Sequence, residues 1–189
     1  VDGADLWLEA AGHLTGHGQT RFIMTPDYVG PHLITHGRGV VSCNGLEREV
    51  GPGDMFCLLP GIHYDYNEQD GEPWQYWWLR LRGRSAVAFA RGCGFSAASP
   101  FLRPHSSTEI LRYMKELRGL LKPGAHSDPY AILSIIYKFA QICNRGKPQH
   151  VAHRSGEQLV EQAEGLMDSM LHTQININEI ASMLQVSRT

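Results

Sequence analysis

The spacing of apolar residues along the chain changes near residue 106, and this change is the strongest restriction on its fold. Before it, Gly and Pro interrupt short β-branched and aromatic runs about every eight to twelve positions, a pattern typical of compact all-β structure. After it, apolar residues recur every three or four positions, the period of an amphipathic helix. The sequence therefore predicts an α+β fold that is mainly β, with its helices at the end.

The clearest strand signal is a hairpin centred on Asn44-Gly45. This pair accepts the positive φ angles of a type I′ turn, and strand-like sequences flank it at 40–43 and 46–50. Further apolar or aromatic runs predict strands at 55–59, 63–66 and 74–81.

Two helices are predicted after the β-rich part. The first begins at about residue 106. The second runs from about 129 to 144, where Ser127 or Asp128 can cap it and Pro129 suits its first turn. Because this second helix is apolar around most of its circumference, we expect it to be covered on two sides and to form the seam of a homodimer.

The remaining sequence has the composition of a linker followed by a separate helical piece. Polar residues dominate 147–154. An amphipathic helix is predicted from about Gly156 to Leu171, and Asn176 with Glu179 can form a capping box at the start of a shorter one.

The segment 175–188 is similar to the first half of a helix-turn-helix, with an ordinary two-helix corner as the alternative. Ala181 suits the point where two helices cross, since only a small side chain fits there. The helix that reads bases would begin near Ser187, so the DNA-binding residues are unknown. We expect contacts with DNA and RNA polymerase only in a full-length protein.

Composition and charge argue against several classes of protein. The formal charge of -2, from 17 basic and 19 acidic residues, lacks the basic excess expected of a domain that grips DNA. The cysteines form no CxxC pair, which suits reduced thiols in a cytoplasmic protein. No stretch approaches the apolar length of a transmembrane helix, so no membrane partner is expected.

The front half, the two helices and the tail together resemble the AraC/XylS family of bacterial transcription regulators. The segments that carry the resemblance are 31–39, 52–56, 60–63 and 73–78, in the order and spacing of the family's sensor domain. The resemblance implies neither enzyme activity nor a cofactor.

The domain organisation also follows from this resemblance. It implies a cupin-like double-stranded β-barrel with an N-terminal arm at 1–104, which binds a small effector inside. It further implies a helical dimerisation segment at 105–146, a linker at 147–154 and the start of a helix-turn-helix domain at 155–189.

The strand around Trp78 is the predicted sensing surface. Alternation places Tyr76, Trp78 and Arg80 on one face, and Trp77 and Leu79 on the other. An indole can stack on the C–H side of a sugar ring and a phenol adds a directional hydrogen bond, so a sugar or related metabolite is the predicted effector. An arabinose-responsive member of the family has a stacking Trp at the position of Trp78. The alternative is that these rings only fill the barrel.

Neighbouring segments supply further candidate ligand contacts. The candidates on the adjacent strand are Tyr64, Asp65 and Tyr66, whose facing alternation leaves open by one residue. Thr25 stands where the arabinose-responsive relative has an Arg, which argues against the same sugar. His32 either points into the barrel or is an ordinary hydrogen-bonded or solvent-facing histidine. The residues before Gly18 form either an arm that closes over the ligand or a mobile terminus.

A metal-dependent cupin enzyme acting on a small molecule is the alternative hypothesis. Its ligands would come from His32, His36 and His63, with Glu47 and Glu49 as carboxylates. Metal-binding cupins carry two histidines one residue apart on one strand, and this sequence contains no such pair, so the sensor hypothesis is favoured. An interaction module with a solidly filled barrel is a third hypothesis.

Overall fold

The computed structural model describes residues 5–122 and 128–145, together with two isolated helical positions, Ala163 and Ile180. The chain divides into two compact units, Val1–Gly146 and Lys147–Thr189. Apart from Ala163 and Ile180, the predicted linker, the helix from Gly156 to Leu171 and the helix-turn-helix segment lie outside the described residues.

The described part of the first unit contains strands in two antiparallel sheets. The strands are β1 (Trp7–Thr15), β2 (Arg21–Met24), β3 (Gly30–His36), β4 (Gly39–Cys43), β5 (Leu46–Val50), β6 (Met55–Leu58), β7 (Tyr64–Glu68), β8 (Gln75–Arg82) and β9 (Phe101–Leu102). One sheet has the order β1-β8-β3-β6-β9 and the other β2-β7-β4-β5. The mainly-β α+β class is confirmed, as is the hairpin, in which Asn44 has φ 49° and Gly45 has φ 75°.

Helices cover the outer face of the five-stranded sheet. They are α1 (Ala86–Cys93), α2 (Ser107–Leu120) and α3 (Pro129–Asn144). The predicted start of α3 is confirmed, because the Asp128 carboxylate accepts the Tyr130 N–H at 2.9 Å and Pro129 opens the first turn. No helix was predicted at the position of α1, which ends where Gly94 adopts a left-handed φ of 97°.

Two clusters of buried apolar side chains define three layers. One cluster lies between the sheets and contains Ile34 of β3 and Val41 of β4. The other lies between the five-stranded sheet and the helices, and it contains Leu33, Met114 of α2 and Phe139 of α3. Adjacent residues of β3 thus serve opposite layers, as strand alternation requires. Contacts with α1, α2 and β1 bury one face of α3, whereas its other face is exposed, so coverage of this helix on a second side stays a prediction.

The N-terminal segment differs from both alternatives offered for it. Residues Trp7–Thr15 form β1, which pairs with β8 from Trp7–Arg82 to Thr15–Gln75. Trp7–Thr15 is therefore an integral strand of the sheet, and residues 1–4 of the predicted arm lie outside the described residues.

A buried carboxylate joins two loops at one end of the sheets. Glu68 accepts the backbone N–H of Thr20 at 2.6 Å and that of Trp74 at 3.1 Å. Desolvation acts to raise the pKa of Glu68, but these N–H donors outweigh it and the net pKa is lowered. The ionised carboxylate therefore links the loop after β1 to the loop before β8. Within the described residues, no helix has the length and apolar character needed to cross a bilayer.

Candidate ligand-binding cavity

Side chains from both sheets line a cavity of about 240 Å³. Its wall is mainly aromatic and aliphatic, with few polar groups. The lining residues are Leu14, Phe22, Met24, Tyr28, His32, Tyr66, Tyr76, Trp78, Leu79 and Arg80.

Trp78 occupies the part of the wall where three strands meet. In the register of the sheet it lies opposite Gly12 of β1 on one side and His32 of β3 on the other. A Cβ atom on Gly12 would lie 2.3 Å from Cζ2 of the indole, so the ring covers the bare backbone at that position. The absence of a side chain at Gly12 thus leaves the space in which the indole lies against β1.

The predicted alternation of β8 is confirmed. Tyr76, Trp78 and Arg80 line the cavity, whereas Trp77 packs against the helix-side cluster. Leu79 also belongs to the helix-side cluster, although it contributes to the cavity lining as well.

His32 presents a neutral imidazole to the cavity. Its ring stacks on Phe56 at a centroid distance of 4.5 Å and is only 5% exposed. Desolvation lowers the pKa of His32 to about 4. Its Nδ1 lies 2.8 Å from the Gly30 carbonyl oxygen, which can only accept, so Nδ1 carries the proton. Nε2 is therefore a hydrogen-bond acceptor at neutral pH.

Two phenols add hydroxyl groups to the same wall. Burial raises the pKa values of Tyr66 and Tyr76 well above the ordinary tyrosine value, so both hydroxyls remain protonated. The Tyr66 hydroxyl donates a weak hydrogen bond to the sulfur of Met24 at 3.6 Å, and it also interacts with the hydroxyl of Tyr76. Both groups can therefore serve as donors and acceptors for a polar guest.

Arg80 brings a positive charge to the cavity. Its guanidinium carbon lies 4.3 Å from the ring centroid of Tyr28 and 5.9 Å from that of Trp78. One of its terminal nitrogens lies 3.4 Å from a carboxylate oxygen of Glu9. Its Nε is buried and has no hydrogen-bond partner among the described residues.

Five of the eight ligand contacts predicted from the sequence line this cavity, and three do not. The Tyr64 hydroxyl donates to the Cys57 carbonyl at 3.0 Å and accepts the Leu59 N–H at 3.1 Å, so it braces the turn between β6 and β7. Asp65 faces outward on β7 and forms an ion pair with Arg21.

Thr25, the remaining predicted contact, lies on an exposed part of the chain. Its hydroxyl lies 3.3 Å from Nδ1 of His63, which is also exposed. The structure therefore does not place Thr25 at the cavity.

Residues 24–140 match the sequence profile of the AraC-like ligand binding domain. The chain belongs to this family. The matched segment contains most of the cavity wall, from Met24 to Arg80, as well as α1, α2 and most of α3.

The relatives of this AraC-like domain are named as regulators and not as enzymes, which supports the expectation that the chain is not an enzyme. The lactose operon transcription activator of Staphylococcus xylosus is 18% identical over 162 residues, which cover 84% of this chain and 58% of that protein. The MmsAB operon regulatory protein of Pseudomonas aeruginosa is 41% identical over 98 residues, which cover 48% of this chain and 31% of that protein. The chain thus spans less than two thirds of the length of either relative.

Two solved structures share the fold of this AraC-like domain. The AraC-like transcriptional activator CuxR superposes with a TM-score of 0.52 at 15% identity, covering 97% of this chain and 68% of CuxR. The K231A form of ToxT from Vibrio cholerae superposes with a TM-score of 0.51 at 8% identity, covering 99% of this chain and 73% of ToxT.

Some residues that line the cavity of this AraC-like domain were not predicted from the sequence. Phe22 and Met24 could have been found, since β2 alternates and the intervening Ile23 is 60% exposed. Tyr28 lies between β2 and β3, where no periodic signal points to its side chain.

The three histidines of the alternative metal site lie in different surroundings in this AraC-like domain. His32 is buried in the cavity wall, whereas His36 is exposed at the end of β3 and His63 is exposed beside Thr25. In the part of the chain that the structure describes, no three His, Cys, Asp or Glu residues are grouped so that they could hold a metal ion.

Proposed function

We propose that this chain is the effector-sensing and dimerisation region of an AraC-type transcription regulator, and that its effector is a sugar or a related small hydroxylated metabolite. The supporting observation is the aromatic cavity within the segment that matches the ligand-binding family. Its volume of about 240 Å³ lies below the range of about 300–1,000 Å³ typical of drug-sized ligands. A compact guest suits this space better than an oligosaccharide.

The wall offers the two kinds of contact that such a guest needs. The indole of Trp78 provides a flat apolar surface for a carbon skeleton. Nε2 of His32 can accept a hydrogen bond from a hydroxyl group, and the hydroxyls of Tyr66 and Tyr76 can donate or accept. Because a buried polar group that loses its partner is costly, this wall would discriminate against analogues that lack the matching hydroxyl.

The strands of the cavity wall also connect it to the helices. Trp78 faces the cavity, while its neighbour Trp77 lies under the cationic groups of Lys115 and Arg118 of α2, at 5.6 and 5.5 Å from its ring centroid. A guest that favours one position of β8 therefore favours one arrangement of the helix layer. In the full-length protein this preference would bias contacts with DNA and RNA polymerase, provided that the guest binds the two arrangements with different affinity.

The dimerisation part of the proposal rests on the outer face of α3. Its inner face is buried through Ile135, Ile136 and Phe139, but Tyr130 is 79% exposed and Tyr137 is 59% exposed. Two exposed tyrosines on one helix are the type of residue enriched at protein interfaces.

A thermal-shift screen of common sugars and related metabolites tests the effector proposal. A true ligand at one hundred times its dissociation constant should stabilise the fold by about 2.7 kcal/mol. Trp78→Ala should weaken its binding by about 1–3 kcal/mol, because the aromatic packing surface is lost.

The matched control is Ile23→Ala, which removes an exposed apolar side chain from β2 on the face opposite the cavity. Its affinity should equal that of the wild type. Binding that is equally strong in Trp78→Ala would place the ligand elsewhere, and the absence of any stabilising compound would contradict the proposed function.

A further inference from the structure

The charge of the cavity wall is the starting point for a narrower assignment of the ligand. Among the described residues that line the cavity, Arg80 alone carries a charge at neutral pH, since the other polar groups there are a neutral imidazole, three phenols and an indole. The carboxylates of Glu9 and Asp27 pair with arginines of β8, but neither residue lines the cavity. Among the described lining residues, the wall therefore presents the positive charge of Arg80, whose carboxylate partner Glu9 lies outside the lining.

The partners of Arg80 leave part of its guanidinium unused. Glu9 approaches Arg80 only to 3.4 Å, whereas its other carboxylate oxygen lies 2.6 Å from Nε of Arg82. Arg82 is further held by both carboxylate oxygens of Asp27 at 3.0 Å. Glu9 is thus mainly a partner of Arg82, and Arg80 keeps a buried Nε–H with no acceptor among the described residues.

A buried N–H without an acceptor is costly, and a carboxylate is the group that best matches an arginine fork. The Arg80 guanidinium stacks on Tyr28 at 4.3 Å, and this contact fixes the orientation of its N–H donors in the absence of ligand. An incoming carboxylate would gain charge-assisted hydrogen bonds at little cost in ordering the side chain.

The rest of the wall fits a ligand with few hydroxyls. In the part of the chain that the structure describes, no Asp, Glu, Asn or Gln lines the cavity, and much of the lining consists of side chains such as Leu14, Phe22 and Met24. A fully hydroxylated neutral sugar would leave several hydroxyls facing apolar carbon. His32 lies opposite Trp78 in the sheet and Arg80 is two residues further along β8, a diagonal spacing of about 7–8 Å between side-chain positions.

We propose that the effector is a small hydroxycarboxylate, such as a sugar acid or another short hydroxy acid. Its carboxylate accepts hydrogen bonds from Arg80, a hydroxyl donates to Nε2 of His32, and its carbon skeleton lies on Trp78. This assignment rests on the proposed function, because it names the ligand class of the same cavity.

Calorimetric titration with matched acid and neutral probes tests the assignment. The pairs are D-glucuronate with D-glucose, D-galacturonate with D-galactose, 3-hydroxybutyrate with 3-hydroxybutyramide, and mandelate with mandelamide. At least one acid should bind about 10-fold or more tightly than its neutral partner, and Arg80→Gln should weaken that acid by about 10- to 100-fold. Arg80→Lys keeps the charge but loses the fork, so its loss should be intermediate.

Arg91→Gln is the matched control, because Arg91 is an exposed arginine of α1 outside the cavity lining. It should bind the acid like the wild type, and circular dichroism should show the same fold in all variants. Neutral probes that bind as tightly as their acids, or an acid unaffected by Arg80→Gln, would overturn the hydroxycarboxylate assignment while leaving the proposed function intact. If no acid and no neutral probe binds, both proposals fail.

Discussion

Replacing His32 by Gln should remove much of the loss of stability that this protein undergoes in mild acid. Desolvation in the cavity wall lowers the pKa of His32 to about 4, against about 6.5 in an unfolded chain. Between these values the unfolded chain binds a proton that the folded chain does not, so folding stability falls as pH falls. The contribution of His32 is complete above the unfolded pKa and is lost as pH falls towards the folded pKa.

The magnitude follows from the two pKa values. Relative to neutral pH, His32 alone should cost the folded state about 2 kcal/mol at pH 5 and about 3 kcal/mol below pH 4. Gln keeps an amide donor that can reach the Gly30 carbonyl and an amide oxygen that can accept, but it does not titrate. The pKa of His13 is lowered as well, first by desolvation and then by Arg118 and Lys115, so the wild-type curve contains a further contribution of the same sign.

Urea denaturation at pH 7.5, 6 and 5 measures the effect as a difference between wild type and His32→Gln. This subtraction removes the contribution of His13 and of the carboxylates. His63→Gln, which replaces an exposed histidine by the same side chain, is the matched control and should retain the wild-type dependence. A difference between wild type and His32→Gln that stays constant from pH 7.5 to 5 would refute the argument, and so would an NMR titration of His32 with a midpoint near 6.5.

Two further substitutions test the geometry directly. Gly12→Ala should push the Trp78 indole out of its place, because the new Cβ would lie 2.3 Å from Cζ2 of the indole. We expect denaturation to show a destabilisation of about 1–3 kcal/mol and calorimetry to show weaker ligand binding. Gly119→Ala is the control and should have neither effect, because its new Cβ would meet nothing within 4 Å. Tyr137→Glu on the outer face of α3 should convert a dimer into a monomer, which sedimentation velocity measures. A dimer that persists in this variant but dissociates in Ile23→Glu on β2 would show that the interface does not involve α3.

Local rules were sufficient for a large part of the fold. Asn44-Gly45 fixes its hairpin through backbone conformation, and Asp128 caps α3 through a side chain two residues from its partner. The common face of Tyr76 and Trp78 on β8 follows from alternation alone, and both side chains line the cavity. Each of these signals depends on residues that are close together in the sequence.

The parts that the sequence did not predict depend on partners far away in the chain. β1 contains Ala10, Ala11 and Gly12, which have low strand propensity, and it is held as a strand by pairing with β8. Alternation left the facing of Tyr64 open, and it cannot reveal that the backbone of Cys57 and Leu59 already occupies the Tyr64 hydroxyl in the folded chain. Residue type and facing therefore suggested which side chains could contact a ligand. Tertiary hydrogen bonds determine whether the polar groups of those side chains are free to bind it.

The same distinction separates the two arginines that follow Trp78 on the cavity side of β8. Arg80 and Arg82 share residue type, strand and facing, so the sequence treats them alike. Asp27, in the irregular segment between β2 and β3, binds Arg82 with both oxygens, and Glu9 of β1 lies closer to Arg82 than to Arg80. Arg82 thus takes the shorter carboxylate contacts, and Arg80 keeps a longer contact to Glu9 and a buried Nε–H with no acceptor among the described residues. The ligand preference that we propose for the cavity accordingly depends on how two carboxylates outside it are shared between two equivalent arginines, a property that only the folded chain determines.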